Sequence, residues 1–295
     1  GTGTWGDLET DGDTIYVDAS AEDGGDGSKD SPFTVIQEGL DAQGKNGMVA
    51  VAAGTYVENL QINSDHTGVH LAGRCRELVV VDGSEGDEED YTEGCGIYLY
   101  GPGITDSWTV SGVTTSWAPW VGILQYRGTL SLDRVESSEN EVRGINTEYG
   151  TLVANDCIVQ GNHEIGVFVC DSSASLQDVQ VLDTRRCTVS TTAMGVVSQA
   201  GSTVSATDLT VRDTVGPALY VATAALLSCT DCTLTDNAFA GAVAQNGGEL
   251  VLENSLIEGT TSSADTGAGL GVFVDDVTPD DLGPPTLTIH DSTIR

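Results

Sequence analysis

The sequence predicts an all-β protein built as a coil of stacked short strands, a single-stranded parallel β-helix with a short N-terminal capping helix. Three observations carry this. Segments of about 22 residues repeat through most of the chain. Within each repeat, apolar and polar residues alternate with period two and are rich in β-branched types. The apolar residues are mostly Val, Leu, Ile and Ala, and aromatics make up only 5%, a palette for thin stacked layers rather than a core of large side chains.

The repeat is clearest in gapless nine-residue segments beginning at Val110, Leu132, Ala154, Leu176, Ala206, Cys229, Leu252 and Ile289. Those from Leu132 to Leu252 close on Asn140, Asn162, Thr184, Thr214, Asn237 and Thr260. A second motif, Gly followed by a short apolar run, keeps the same rhythm at Gly96, Gly122, Gly144, Gly166, Gly195, Gly241 and Gly271. The period is too short for paired helices, and the leucine-rich-repeat pattern is absent. Three short strands with sharp bends fill one such unit. A unit of this kind buries its inner face only by stacking on the next, at a rise of about 4.8 Å per rung. The repeated column Gly112, Arg134, Asp156, Asp178, Asp208, Asp231, Asn254 and Asp291 falls at a bend, where Asx side chains satisfy backbone groups and tolerate left-handed geometry. It is read as structural.

Residues 1–13 read as a flexible leader and 14–62 as an N-terminal cap; rungs occupy 63–295. Thr14–Asp18 is a predicted strand, and Asp23–Asp30 a turn-rich loop. Ser31-Pro32 predicts a helix start, with Phe33, Ile36 and Leu40 on one face, plugging the open end of the coil. The last repeat carries no evident cap. The chain therefore reads as a mature form or a fragment that continues, or that stacks on another subunit.

The order Ile15-Tyr-Val-Asp, Gly24-Gly-Asp-Gly, Ser31-Pro-Phe-Thr-Val-Ile-Gln-Glu-Gly-Leu and Ala53-Gly-Thr-Tyr-Val-Glu-Asn59 resembles the N-terminal cap of right-handed parallel β-helix proteins of the pectate-lyase-like superfamily. The resemblance implies a right-handed coil and, in its enzymes, activity on acidic polysaccharides. Gly54-Thr-Tyr-Val-Glu58 is similar to a segment of pectin methylesterases, but their Gln-Asp-Thr-Leu and Trp-Gly-Arg-Pro-Trp segments are missing. The polygalacturonase set is missing too, and no basic residue recurs on the rungs as a lyase base.

With 45 Asp+Glu against 11 Lys+Arg, the formal charge is −34. This excludes a nucleic-acid binder, which needs a basic footprint, and opposes an anionic membrane surface. No apolar run is long enough to insert into a membrane. Seven cysteines in an acidic chain predict an oxidising, extracellular or cell-surface setting. Cys75 and Cys95 bracket an acidic loop and predict a disulfide; Cys157, Cys229 and Cys232 read as small inward-facing residues.

No catalytic set is assigned. Glu148, Glu164, Asp171 and Asp275 are the acids nearest the Gly-led strands, and paired carboxylates are what glycosidase chemistry requires. Asp82, Ser84, Glu88, Asp90 and Glu93 occupy positions 1, 3, 7, 9 and 12 of a loop that fits Ca2+ ligation, without the glycine at position 6. Asp18, Asp23, Asp26 and Asp30 form a weaker candidate. Trp108, Trp117, Trp120 and Tyr126 cluster as flat surfaces for sugar rings. Counting two from each leading Gly gives an outward stripe, Leu124, Phe168, Val197, Leu219, Val243 and Phe273 with Asn146, that predicts a partner surface.

The function these features predict is a secreted or surface-exposed binding or structural module contacting polysaccharide or a cell-surface protein. Two alternatives are a carbohydrate-active enzyme, as polysaccharide lyase or glycoside hydrolase, and a filament subunit self-associating through the ends of the coil.

Overall fold

In the computed structural model, residues 3–186, 193–262, 269–275 and 283–295 are described. Their strands form three sheets of 11, 10 and 9 strands in which every neighbouring pair is parallel. The chain visits them in turn. Thr129–Asp133 lies in sheet 1, Glu136–Ser138 in sheet 2, Arg143–Glu148 in sheet 3, and Thr151–Asn155 returns to sheet 1 one rung on. This is a right-handed parallel β-helix.

The repeats superpose as stacked columns. In sheet 1, Leu130, Leu152, Ala174, Val204, Leu227 and Leu250 align and face the interior. In sheet 3, Ile97, Ile123, Ile145, Val167, Val196, Leu219 and Ala242 do the same. Each buried Val, Leu or Ile side chain contributes roughly 1.5–3 kcal/mol of burial. The leading glycines sit where the coil is narrowest. A Cβ at Gly144, Gly166 or Gly195 would come within 2.4 Å of Val159, Val181 or Val211, the inward valines of sheet 2.

Each of the three corners carries a column of left-handed residues. At the corner from sheet 1 to sheet 2 these are Gly112, Arg134, Asp156, Asp178, Asp208, Asp231, Asn254 and Asp291, with φ between 46° and 61°. Asp and Asn adopt this conformation more readily than most residues, which is why the column repeats. At the corner from sheet 2 to sheet 3 the closing positions of the repeats turn inward. Asn140 accepts from Ala118 N at 3.0 Å, and Asn162 accepts from Asn140 N at 3.0 Å and from Asn140 Nδ2 at 2.7 Å. Asn237 accepts from Thr214 N in the same way. All three are buried, and the ladder satisfies amides that the bend takes out of the sheets.

The helix (α1) spans Ile36–Gln43 with Val35 as its N-cap, four residues later than the Ser31-Pro32 signal. Phe33 is drawn instead into backbone pairing with Tyr16 and Asp18. The helix N-terminus is held from a distance: the Glu58 carboxylate accepts from Ile36 N at 2.7 Å and Gln37 N at 2.9 Å. Burial raises the Glu58 pKa against these hydrogen bonds. Ile36 and Leu40 are fully buried over the first rungs.

The cysteines differ from expectation. Cys229 and Cys232 form a disulfide, with Cα atoms 5.9 Å apart. Cys75 and Cys95 are free thiols. Cys75 follows strand His70–Gly73 at one corner, and Cys95 precedes strand Ile97–Tyr100 at another. The strand Val79–Asp82 lies between them, some 13 Å at about 3.3 Å per residue, beyond the reach of one disulfide. Burial pushes the Cys95 thiol up to about 12, and its Sγ donates to Tyr91 O at 3.1 Å.

Candidate functional site: the outer face of sheet 3

Alternation along the sheet 3 strands sends every second residue outward. One outward column is Tyr98, Leu124, Asn146, Phe168, Val197, Tyr220, Val243 and Phe273. The next, two residues on, reads Tyr100, Tyr126, Glu148, Cys170 and Gln199, with Gln245 and Asp275 further along. Beside it, the corner from sheet 3 to sheet 1 carries Arg127, Tyr149 and Asp171 in left-handed conformation.

Where the columns meet this corner, aromatic rings form a row. Tyr98 and Tyr100 lie 6.3 Å apart, Tyr100 stacks on Tyr126 at 5.9 Å and 18°, and Tyr126 meets Tyr149 edge-on at 5.3 Å. Tyr100 and Tyr149 are 37% and 48% exposed. The Arg127 guanidinium lies 5.3 Å from the Tyr126 ring, a cation–π contact.

The row runs into a polar group. Asn146 Nδ2 donates to Tyr91 Oη at 2.7 Å and to Glu148 Oε1 at 3.0 Å. Burial pushes the Tyr91 hydroxyl up to about 12, so it stays protonated and able to donate. Arg143 is placed 3.4 Å from Glu164 and 4.2 Å from the Phe168 ring centre. The charge of Asp171 raises the Tyr149 pKa, while burial and then Asp171 raise that of Cys170.

Of the four aromatics predicted from sequence, only Tyr126 joins this row. Trp108 is buried inside sheet 1 opposite Leu130, its Nε1 donating to Asn63 O at 3.3 Å, because its position in the strand faces inward. Trp120 donates to Glu88 O at 3.0 Å and packs edge-on against Tyr91, holding the 83–95 loop. Trp117 lies at the corner from sheet 2 to sheet 3, away from the row and 51% exposed. Tyr98, Tyr100 and Tyr149 were missed. The signal was available: Tyr100, Tyr126 and Glu148 each lie four residues beyond a leading glycine.

The stripe is outward but largely covered. Leu124, Phe168, Val197 and Val243 are buried; Tyr91, Tyr98 and Trp120 pack around Leu124. Leu219 points inward and pairs with Val196 and Ala242, so Tyr220 takes its place. The offset fails there because that rung opens on Pro217 and Ala218 instead of the usual glycine.

The carboxylates do not converge as a group. Glu164 sits beside the start of strand Arg143–Glu148, about 16 Å from its end. Asp275 lies five strands from Glu148, about 24 Å away. Of the four, Glu148 and Asp171 lie at the same end of neighbouring strands. In the acidic loop, Asp82 accepts from Ser84 N, and Asp90 accepts from Thr92 N, Thr92 Oγ1 and Glu93 N. These turns engage the Asp82 and Asp90 carboxylates locally. Among the described residues no group of three His, Cys, Asp or Glu side chains is arranged to hold a metal, so the Ca2+ set Asp82, Ser84, Glu88, Asp90 and Glu93 does not assemble. No described helix is long and apolar enough to cross a membrane.

No protein-family model matches the chain. No curated protein sequence matches it. Solved structures do. A pectin methylesterase from Aspergillus niger is similar over 97% of this chain and 87% of its own, at 12% identity and a TM-score of 0.53. The pectate lyase Pel9A is similar over 96% and 78%, at 13% identity and a TM-score of 0.51. Tailspike protein 2 of the Escherichia coli O157:H7 bacteriophage CAB120 is similar over 93% of this chain and 42% of its own, at 12% identity and a TM-score of 0.52. At these identities the likeness establishes a shared right-handed β-helix.

Proposed function

We propose that this protein binds polysaccharide along the outer face of sheet 3, as a secreted or surface-exposed module. The observation that carries this is the continuous row Tyr98, Tyr100, Tyr126 and Tyr149, with centroid separations of 5.3–6.3 Å. Amphipathic rings with one face apolar and a hydroxyl in water suit sugar rings, which are apolar on their faces and polar at their edges. The pectin methylesterase and the pectate lyase of the same fold are named for polysaccharides, pectin and pectate, which supports the reading. A glycan array probed with the native protein and with Tyr126→Ala tests it: retention of defined glycans, lost in the variant, is expected. Equal retention by both would place binding elsewhere.

A second reading, glycoside hydrolysis, is favoured by the place of Glu148 and Asp171 on neighbouring rungs at the end of the row. Carboxylates about 5–5.5 Å apart serve retaining enzymes, and about 6.5–9.5 Å inverting ones. Release of new reducing ends by the native protein, absent in Glu148→Gln, would establish cleavage. Binding without release would leave the protein a binder.

A further inference from the structure

The tyrosine row ends in hydrogen-bond acceptors. Glu148 and Asp171 have no ion-pair partner among the described residues, whereas Arg143 is engaged with Glu164 and Phe168. Arg127 lies against Tyr126, its Nη1 3.5 Å from Pro102 O. Asn146 is fully buried and spends Nδ2 on Tyr91 and Glu148, leaving its Oδ1 without a hydrogen-bond partner. A buried acceptor left unpaired in a folded protein needs an explanation, and a donor supplied by a ligand is one. The Tyr91 hydroxyl is the neutral exception to this acceptor-rich set.

The chemistry of the set selects a ligand. A uronate brings a further anion to two carboxylates and to a chain of net charge −34, and is repelled. A protonated amino sugar brings an ammonium with three donors and no acceptor, which carboxylates and tyrosine faces both attract. We infer that the tyrosine row with its Asn146, Glu148 and Asp171 end takes a cationic amino-sugar polymer, rich in glucosamine, in preference to uronate chains. This rests on the proposal that the row binds polysaccharide.

Isothermal titration at mildly acidic pH compares hexamers of glucosamine, N-acetylglucosamine and galacturonic acid, the last with and without CaCl2. Glucosamine hexamer is expected to bind more than about tenfold tighter than the galacturonate, a difference of ~1.4 kcal/mol or more. Glu148→Gln with Asp171→Asn should remove most of that preference and leave N-acetylglucosamine binding in place. The charge-matched pair Asp178→Asn with Asp208→Asn, at the corner from sheet 1 to sheet 2, should leave the preference intact. Equal or tighter galacturonate binding, with or without Ca2+, overturns the amino-sugar assignment while the polysaccharide reading stands. So does an equal loss in the control pair, which would make the attraction a property of the whole acidic surface. Failure of all three hexamers to bind overturns the polysaccharide reading as well.

Discussion

The outer faces of sheets 1 and 3 obey the same alternation and end up as different surfaces. On sheet 1 the outward columns are Thr129, Thr151, Ser173 and Thr203, then Ser131, Val153, Ser175 and Ser205, all exposed or half-buried. On sheet 3 the equivalent positions hold Leu124, Phe168 and Val197, and these are buried. The difference arises at the corners. The turn from sheet 3 to sheet 1 is short: two residues join Tyr126 to Thr129 and Glu148 to Thr151. The corner into sheet 3 tolerates insertions, and the 83–95 segment folds back so that Tyr91 and Trp120 cover Leu124. An outward position is therefore not by itself an exposed one, and the open part of sheet 3 is the tyrosine row at its far edge.

Stability measurements should break or sharpen this contrast most strongly. Phe168→Ala is expected to cost about 3–5 kcal/mol, as for a core aromatic. Val153→Ala, outward on sheet 1 and 41% exposed, should cost under about 1 kcal/mol. Similar small losses for both in chemical denaturation would mean the sheet 3 cover contributes nothing. The corner that launches the cover should come next. Asn162→Ala strands buried amides of the ladder and is expected to cost about 1–3 kcal/mol. Asp178→Asn, at the corner from sheet 1 to sheet 2, keeps a left-handed-tolerant residue and should change stability by no more than about 0.5 kcal/mol.

For binding, Tyr100→Ala with Tyr149→Ala should weaken polysaccharide affinity by about tenfold or more. Thr151→Ala with Thr203→Ala on sheet 1 should leave it unchanged in the same titration. The smallest effect concerns pH. Burial lowers the pKa of His70, which lies on sheet 1 with Nε2 2.7 Å from Ser111 Oγ. The fold thus favours neutral imidazole. Its contribution is present above the unfolded pKa of about 6.5 and is lost as pH falls through the lower folded value. The denaturation midpoint of the native protein should fall from pH 7.5 to 5 by more than that of His70→Gln. Parallel profiles would contradict this.

The coil was legible because its causes are local and repeated. Leading glycines recur where inward valines leave no room for a Cβ, and Asp recurs where the chain must turn left-handed. Even the asparagine ladder stood in the alignment, as the closing residue of the segments ending at Asn140, Asn162 and Asn237, although its role needed the rung stacking to become visible. The site was less legible. Tyr149 is a corner residue outside the Gly-led strands, and the burial of Trp108 depends on strand phase. The proximity of Cys75 and Cys95 in sequence hid the strand that separates them. The cover over Leu124 comes from the 83–95 insertion at a corner where most rungs turn in three to six residues, and an insertion does not follow the repeat and so left no periodic trace.

The most direct test of the central claim is where a bound oligosaccharide lies. A crystal structure of the protein with a hexasaccharide that it retains on an array should show sugar rings against Tyr100, Tyr126 and Tyr149, near Glu148. Sugar density along the Ser/Thr columns of sheet 1, with the tyrosine row unoccupied, would contradict the account.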